Sequence, residues 1–254
     1  MKLTVDINSD IGESFGMYKM GLDEQVINYI SSANIACGFH AGDPIWMSRT
    51  VKLAEKHGVG IGAHPSFPDL AGFGRRNMSL TPEEVKADIV YQIGALQAFT
   101  KTKKLQHVKP HGAMYNQAVM DDVMAKAICE SILEVDPNMI LIALAGSNWV
   151  KIANSCALRV ASEAFADRAV TSNGTLVPRS SPGAVIHDVS EVVQRGLEMV
   201  TKGTVRSITG EEINIKADSI CIHGDTPGAV NMAAELKANL EKAGISISPI
   251  NKFI

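Results

Sequence analysis

Lys109 and His111 stand two residues apart in LQHVKPHGAMYN, residues 105–116. A cation beside an imidazole suits the binding of an anion or the movement of a proton. Similar groupings recur along the chain. Asp6, Asn8, Asp10 and Glu13 lie in DINSDIGE, His40 and Asp43 in GFHAGD, and His64 in AHP. Arg75 lies in FGRRN, Glu163, Asp167 and Arg168 in EAFADR, and His223 and Asp225 in HGD. Two chemistries fit these types. In one, Asp10, Glu13 or a histidine activates water while Lys109 and His111 stabilise the anion that forms. In the other, His40, His64 and an aspartate such as Asp10 make a two-histidine, one-carboxylate site for a divalent metal. No HxH or HExxH pattern ties those ligands together, so the metal stays unassigned. HGDTPG, running into a helix amino terminus, adds backbone N–H groups that suit phosphate or carboxylate.

The elements that carry these residues follow from apolar runs and their punctuation. His107-Val108 reads as a short buried strand delivering Lys109 and His111. Pro110 cannot donate to a ladder and Gly112 frees the backbone, so a loop is expected there. Leu3–Ile7 reads as the first strand, and the alternation of Asp6, Asn8 and Asp10 puts all three on one face. Further strands are expected at Ala33–Cys37, Val59–Ala63, Met139–Ala145, Leu158–Ala161 and Ser219–Ile222. Helices are expected at Asp23–Ser32 and Pro44–His57, after the capping box Thr81-Pro82-Glu83-Glu84, and near Asp121–Glu134. Others run from Asn148 to about Ala157, over Asp188–Lys202, and from Thr226-Pro227 onward. Thr204–Lys216 reads as a hairpin. Ser66–Ser79 and Thr171–Gly183 are long, turn-rich loops, a kind more often functional than idle.

Seven mostly apolar strands alternating with helices indicate a parallel sheet covered on both faces. No linker divides the chain, so the expected architecture is α/β, a single seven-stranded parallel (β/α) barrel domain over residues 1–254. In such a barrel the strands' carboxyl ends converge on one mouth. His40, His64, His111 and His223, four of the seven histidines, fall just after strands.

Composition narrows the partners. Apolar residues make up 46% and charged residues 20%, as in an ordinary globular protein with a sizeable core. A net charge of −3 argues against nucleic acid. No run of about 18 apolar residues exists, so no membrane span is expected. The amino terminus turns acidic too early for a secretory signal. The four cysteines show no CxxC pairing, which suits reduced thiols in the cytoplasm.

Seven segments together resemble the LamB/YcsF family of 5-oxoprolinase A subunits: DINSDIGESFG, ANIACGFHAGDP, IGAHPSFPDLAGFGRRNM, YQIGALQAF, HVKPHGAMYN, FADRAVTSNGTLVPRSSPGAVIHD and ICIHGDTPGAV. They span nearly the whole chain in family order. The resemblance implies a barrel of the glycoside hydrolase/deacetylase type. It also implies hydrolysis of 5-oxo-L-proline to L-glutamate coupled to ATP, in a complex with B and C subunits. Residue chemistry then suggests Asp10 or Glu13 as base, with Lys109, His111 and Arg75 contacting phosphate or oxyanion. His40, His64 and His223 would position or shuttle protons, and Asp6, Asn8, Glu163, Arg168 and Asp225 would complete a substrate- or phosphate-binding surface. Ser9, Phe67 and Val170 depart from the family pattern without removing an acid, base or cation. No GxxxxGK[ST] loop is present, so a nucleotide site would be unconventional or shared with a partner. The rival readings are a metal-dependent deacetylase of an N-acyl sugar or related amide, and a non-catalytic ligand-binding subunit. Replacing Lys109 by alanine is expected to abolish turnover with little effect on stability.

Overall fold

The computed structural model describes residues 3–223 and 228–254. In chain order the elements are β1 (Thr4–Ile11), α1 (Asp23–Val26), β2 (Ser32–Ala36), α2 (Pro44–His57), β3 (Gly60–His64) and α3 (Pro82–Gln97). Next come β4 (His107–Val108), α4 (Gly112–Met120), α5 (Asp122–Val135), β5 (Ile140–Leu144), α6 (Asn148–Ser155) and β6 (Arg159–Phe165). The remainder is α7 (Val189–Thr201), β7 (Thr204–Arg206), β8 (Glu212–Asn214), β9 (Ser219–Cys221), α8 (Ala229–Lys242) and β10 (Ser246–Ile247).

Strands β1 to β6 and β9 pair in parallel in that order, and β9 pairs back onto β1. The expected seven-stranded barrel is therefore closed. β10 lies outside that ring, parallel to the start of β1. The β7–β8 hairpin, antiparallel, sits in the connection before β9.

Alternation along each strand splits the buried side chains into two populations. Val5, Ile7 and Ile11 on one face of β1 join Val51, Ile89, Ile93, Ile128 and Leu236 from the helices in the main apolar core. The opposite face sends polar groups into the barrel. Asp6, Asn8, Ser32, Asn34, His107, Lys109, Glu163 and Ser219 are all buried there and joined by hydrogen bonds. Gly62 makes this possible on β3, because a Cβ there would fall 2.1 Å from His107 Nε2. Ile140, Ile142 and Ala161 form a separate apolar cluster with Ile250, and Phe253 and Ile254 pack on it.

Four boundaries depart from the sequence reading. β1 continues past Ile7 to Ile11, because the barrel lumen accepts the alternating polar side chains that looked like the end of a strand. β6 likewise runs on to Phe165, so Glu163 is a strand residue. α1 stops at Val26, since the chain turns to feed Ser32 into β2. The loop expected after Lys109 is instead the start of α4. Gly112, at φ +53°, turns the backbone, and Met114, Tyr115 and Ala118 bury one face of the helix behind it. The capping box is formed as expected: Thr81 Oγ1 accepts from the Glu84 N–H, and the Glu84 carboxylate accepts from the Thr81 N–H at 2.7 Å. Thr226 and Pro227, expected to begin the last helix, lie outside the described residues. No described helix is long and apolar enough to cross a membrane.

Candidate active site

A cavity of about 480 Å³ opens at the carboxyl ends of the strands. Asp10, Glu13, His64, Arg75, Lys109, His111, Arg168 and His223 line it, as do Tyr115, Phe165 and Arg179.

Lys109 occupies its floor. The end of β4 carries it inward, with its backbone N–H bonded to Ala63 O at 2.9 Å. Its ammonium lies 3.1 Å from Asp10 Oδ1 and 2.8 Å from Glu163 Oε1. It also donates to Asn8 Oδ1 at 3.2 Å and approaches Cys221 Sγ at 3.0 Å. Glu163 is completed by Asn8 Nδ2 at 2.9 Å and by the Tyr115 hydroxyl at 3.0 Å. Burial would lower the Lys109 pKa, but Asp10, Cys221 and Glu163 outweigh it and hold the ammonium well above its usual range. Burial likewise pushes Asp10 up, yet His64 and Lys109 outweigh it and keep this carboxyl well below the ordinary range. A fixed ammonium between two carboxylates results.

A second cluster stands beside it. His64 Nδ1 lies 2.6 Å from Lys109 O, and His111 Nε2 lies 2.9 Å from Phe73 O. A carbonyl only accepts, so each of those nitrogens carries the hydrogen. Their other nitrogens, His64 Nε2 and His111 Nδ1, face each other at 2.9 Å with the rings nearly perpendicular. Glu13 Oε1 is 3.7 Å from His111 Nδ1 and 3.2 Å from His40 Nε2. Asp10 Oδ2 is 3.4 Å from His64 Nε2. The His40 ring stacks parallel on His111 at 3.8 Å. Burial drives the pKa of both His40 and His111 well down, favouring neutral imidazoles. Close packing builds this corner: Ala113 N–H bonds Gly74 O, and a Cβ on Gly112 would come within 2.5 Å of that oxygen. His40, His64, His111 and Glu13 bring donor atoms within 4.8 Å of one another, a grouping of a kind that can hold a metal ion.

Across the cavity His223 Nδ1 lies 2.8 Å from Asp167 Oδ2, and its ring stacks on Phe165. The carboxylate takes the Nδ1 hydrogen and leaves Nε2 as the working nitrogen. Burial raises the Asp167 carboxyl, but His223 more than compensates and lowers it. At the rim, Arg168 is fixed by Ala184 O and Val177 O. Burial and neighbouring Arg179 push it down to about 10, so it stays cationic at neutral pH. Arg75 lies over the Phe73 ring.

The sequence-derived candidates thus divide. Asp10, Glu13, His64, Arg75, Lys109, His111, Arg168 and His223 meet at the cavity. Glu163 and Asn8 sit directly behind Lys109, and His40 behind the histidine corner. Asp6 does not reach the cavity. It is fully buried deeper in the barrel, accepting from Ser31, Ser32 and Ser219. Asp43 caps α2. Asp225 lies outside the described residues. His111, paired with Lys109 in the sequence reading, turns toward the histidines and Glu13. Tyr115 and Arg179 were missed because one sits on the helix read as a loop and the other in the long loop after β6. A tyrosine four residues beyond His111 was the available signal.

A closed parallel barrel with an acid-, base- and cation-lined mouth defines an α/β barrel with a candidate active site at the carboxyl ends of its strands. The LamB/YcsF family description matches residues 5–254, and the chain belongs to this family. It is 54% identical over 254 residues to the 5-oxoprolinase A subunit of Pyrococcus furiosus, covering 99% of this chain and 100% of that one. It superimposes with a TM-score of 0.91 on a lactam utilization protein from Thermus thermophilus, 46% identical, covering 97% of this chain and 99% of the other. The peptidoglycan deacetylase PdaC of Bacillus subtilis shares the fold alone, at a TM-score of 0.50 and 11% identity, over 99% of this chain and 89% of that one.

Proposed function

We propose that this chain is the A subunit of an ATP-dependent 5-oxoprolinase, opening the lactam ring of 5-oxo-L-proline to give L-glutamate. Its cytoplasmic partners would be the B and C subunits. The names of its relatives support the substrate, and the Thermus protein's name supports lactam chemistry. The observation that carries the reading is the pairing of a fixed ammonium, Lys109, with a carboxylate-oriented imidazole, His223, across a cavity of small-molecule size.

Opening an unstrained five-membered lactam is uphill, which explains the coupling. Transfer of the γ-phosphoryl group of ATP to the lactam oxygen releases ADP and makes the ring carbon electrophilic. Water adds to that carbon, losing its proton to His223 Nε2 or Asp10. The carbon–nitrogen bond then breaks as the nitrogen takes up a proton, leaving an acyl phosphate. A second water hydrolyses it to glutamate and phosphate. Lys109 supplies the positive charge facing the developing oxyanion, and Arg75, Arg168 and Arg179 supply charge for the phosphoryl oxygens.

The test is ATP hydrolysis dependent on 5-oxoproline, with the chain alone and with its co-purified partners. Turnover only with partners supports the subunit reading and puts part of the ATP chemistry outside this chain. Unchanged turnover of the complex after Asp10→Ala would reduce the chain to a ligand-binding subunit. No turnover in any combination would favour hydrolysis of an N-acyl sugar or related amide, for which the histidine–Glu13 cluster is the supporting observation.

A further inference from the structure

The histidine corner contains an unmet demand. Both outer nitrogens, His64 Nδ1 and His111 Nε2, are committed as donors to backbone carbonyls. If both rings are neutral, the two inner nitrogens present lone pairs to each other across 2.9 Å. Two acceptors at that distance repel, so the corner requires a cation between them. That cation is either a proton on His64 Nε2, with Asp10 Oδ2 3.4 Å away to balance it, or a metal ion. Glu13 directs Oε1 at the same point, 3.7 Å from His111 Nδ1.

From this we infer that His64 Nε2, His111 Nδ1 and Glu13 form a binding site for one divalent transition-metal ion, with positions left open to the cavity. The spacings fit. Ligand atoms around an ion with bonds near 2.0–2.1 Å stand roughly 3 to 4 Å apart, and the observed separations are 2.9 and 3.7 Å. The perpendicular His64 and His111 rings let both lone pairs meet at one centre. His40 is excluded as a direct ligand in this arrangement, because its plane lies 5° from that of His111 and the two rings cannot aim at a common point. His40 instead orients the carboxylate, its Nε2 lying 3.2 Å from Glu13 Oε1. Two imidazoles and one carboxylate favour zinc, cobalt or iron(II) over magnesium or calcium, which prefer oxygen ligands. This set differs from the His40–His64–Asp10 trio suggested by sequence. Asp10 Oδ2 approaches His64 Nε2 at 3.4 Å, but the donors that gather around one point with His64 and His111 include Glu13 and not Asp10. The site stands independently of the ATP-coupled reaction and could fail or succeed without it.

The experiment uses the full chain, stripped with a chelator and titrated with cobalt(II), following visible ligand-field absorption, and with zinc by calorimetry. One ion per chain is expected, with no comparable binding of magnesium. His64→Asn and His111→Gln should each weaken zinc at least about 100-fold, the upper range for loss of a mere supporting residue. His187→Ala, at an exposed position outside the cluster, should leave binding intact. Glu13→Gln, which keeps the side chain's size, gives a second variant should a histidine change unfold the protein, and should also weaken binding. Failure of the unmodified chain to bind either ion, or binding that survives these substitutions, overturns the proposal and leaves the pair to share a proton.

Discussion

Two buried polar clusters share one cavity wall, and they differ in completeness. Around Lys109, an ammonium is matched by two carboxylates, and Glu163 is further saturated by Asn8 and Tyr115. Around His64 and His111, the hydrogen bonds to backbone carbonyls fix the rings while leaving two nitrogens in opposition. The first cluster is matched within the protein, and the second is organised for the ion proposed above. Buried polar groups are tolerated when every partner is supplied. The contrast therefore separates a charge cluster fixed in place before any ligand arrives from one that an ion would complete.

The largest effect should come from removing the centre of the saturated cluster. Lys109→Ala leaves Asp10 and Glu163 buried without their counter-charge, a change that typically costs about 3–5 kcal/mol. Both turnover and melting temperature should therefore fall. This reverses the stability half of the sequence expectation, because Lys109 is only 2% exposed. Urea denaturation checks it, and an unperturbed midpoint would mean that the cluster contributes chemistry without holding the barrel together.

Next is the dyad on the opposite wall. Asp167→Asn keeps the shape but offers an amide to His223 Nδ1, which frees the ring to adopt the other tautomer. In the proposed complex, turnover of 5-oxoproline should drop by about 10²–10⁴-fold, the range for a general acid–base group. Substrate KM should change little. A drop in kcat that vanishes at high pH, or a KM effect alone, would move His223 from proton transfer to binding.

How much of this was legible follows from where each signal resides. The barrel was readable because its strands are continuous apolar runs punctuated by glycine, proline and histidine. The strand-end histidines marked the mouth. What stayed hidden depends on the lumen. The alternation of Asp6, Asn8 and Asp10 puts them on one inward strand face, but nothing in DINSD sets how far the strand runs or how deep in the barrel each side chain lies. The apolar run alone therefore ends β1 at Ile7 and places Asp6 at the mouth. Helix α4 was hidden by Pro110 and Gly112, whose stop signals end β4 but do not prevent a helix two residues later. The direction in which His111 turns depends on the carbonyl of Phe73, 38 residues away, and no spacing rule reaches that.

The smallest and cleanest test compares two aspartates on the same strand. Asp10 is held low by His64 and Lys109, whereas Asp6, fully buried and facing Glu163, is pushed up to about 6 by burial despite its three serine donors. Their linkage to folding is opposite in sign. Asp10 contributes stability above its unfolded value, lost as pH falls through the lowered folded one. Asp6 binds its proton more tightly when folded than when unfolded. Its contribution is full below about pH 4 and is lost as pH rises toward about 6. The stability difference between the unmodified chain and Asp6→Asn should therefore shrink across that window, by about 3 kcal/mol for a shift of this size, and then stay flat. Urea titrations at a series of pH values measure it. A difference that grows with pH would mean that Asp6 is stabilised as a carboxylate by its serines, and that the deep end of the barrel resembles the Lys109 cluster more than its composition suggests.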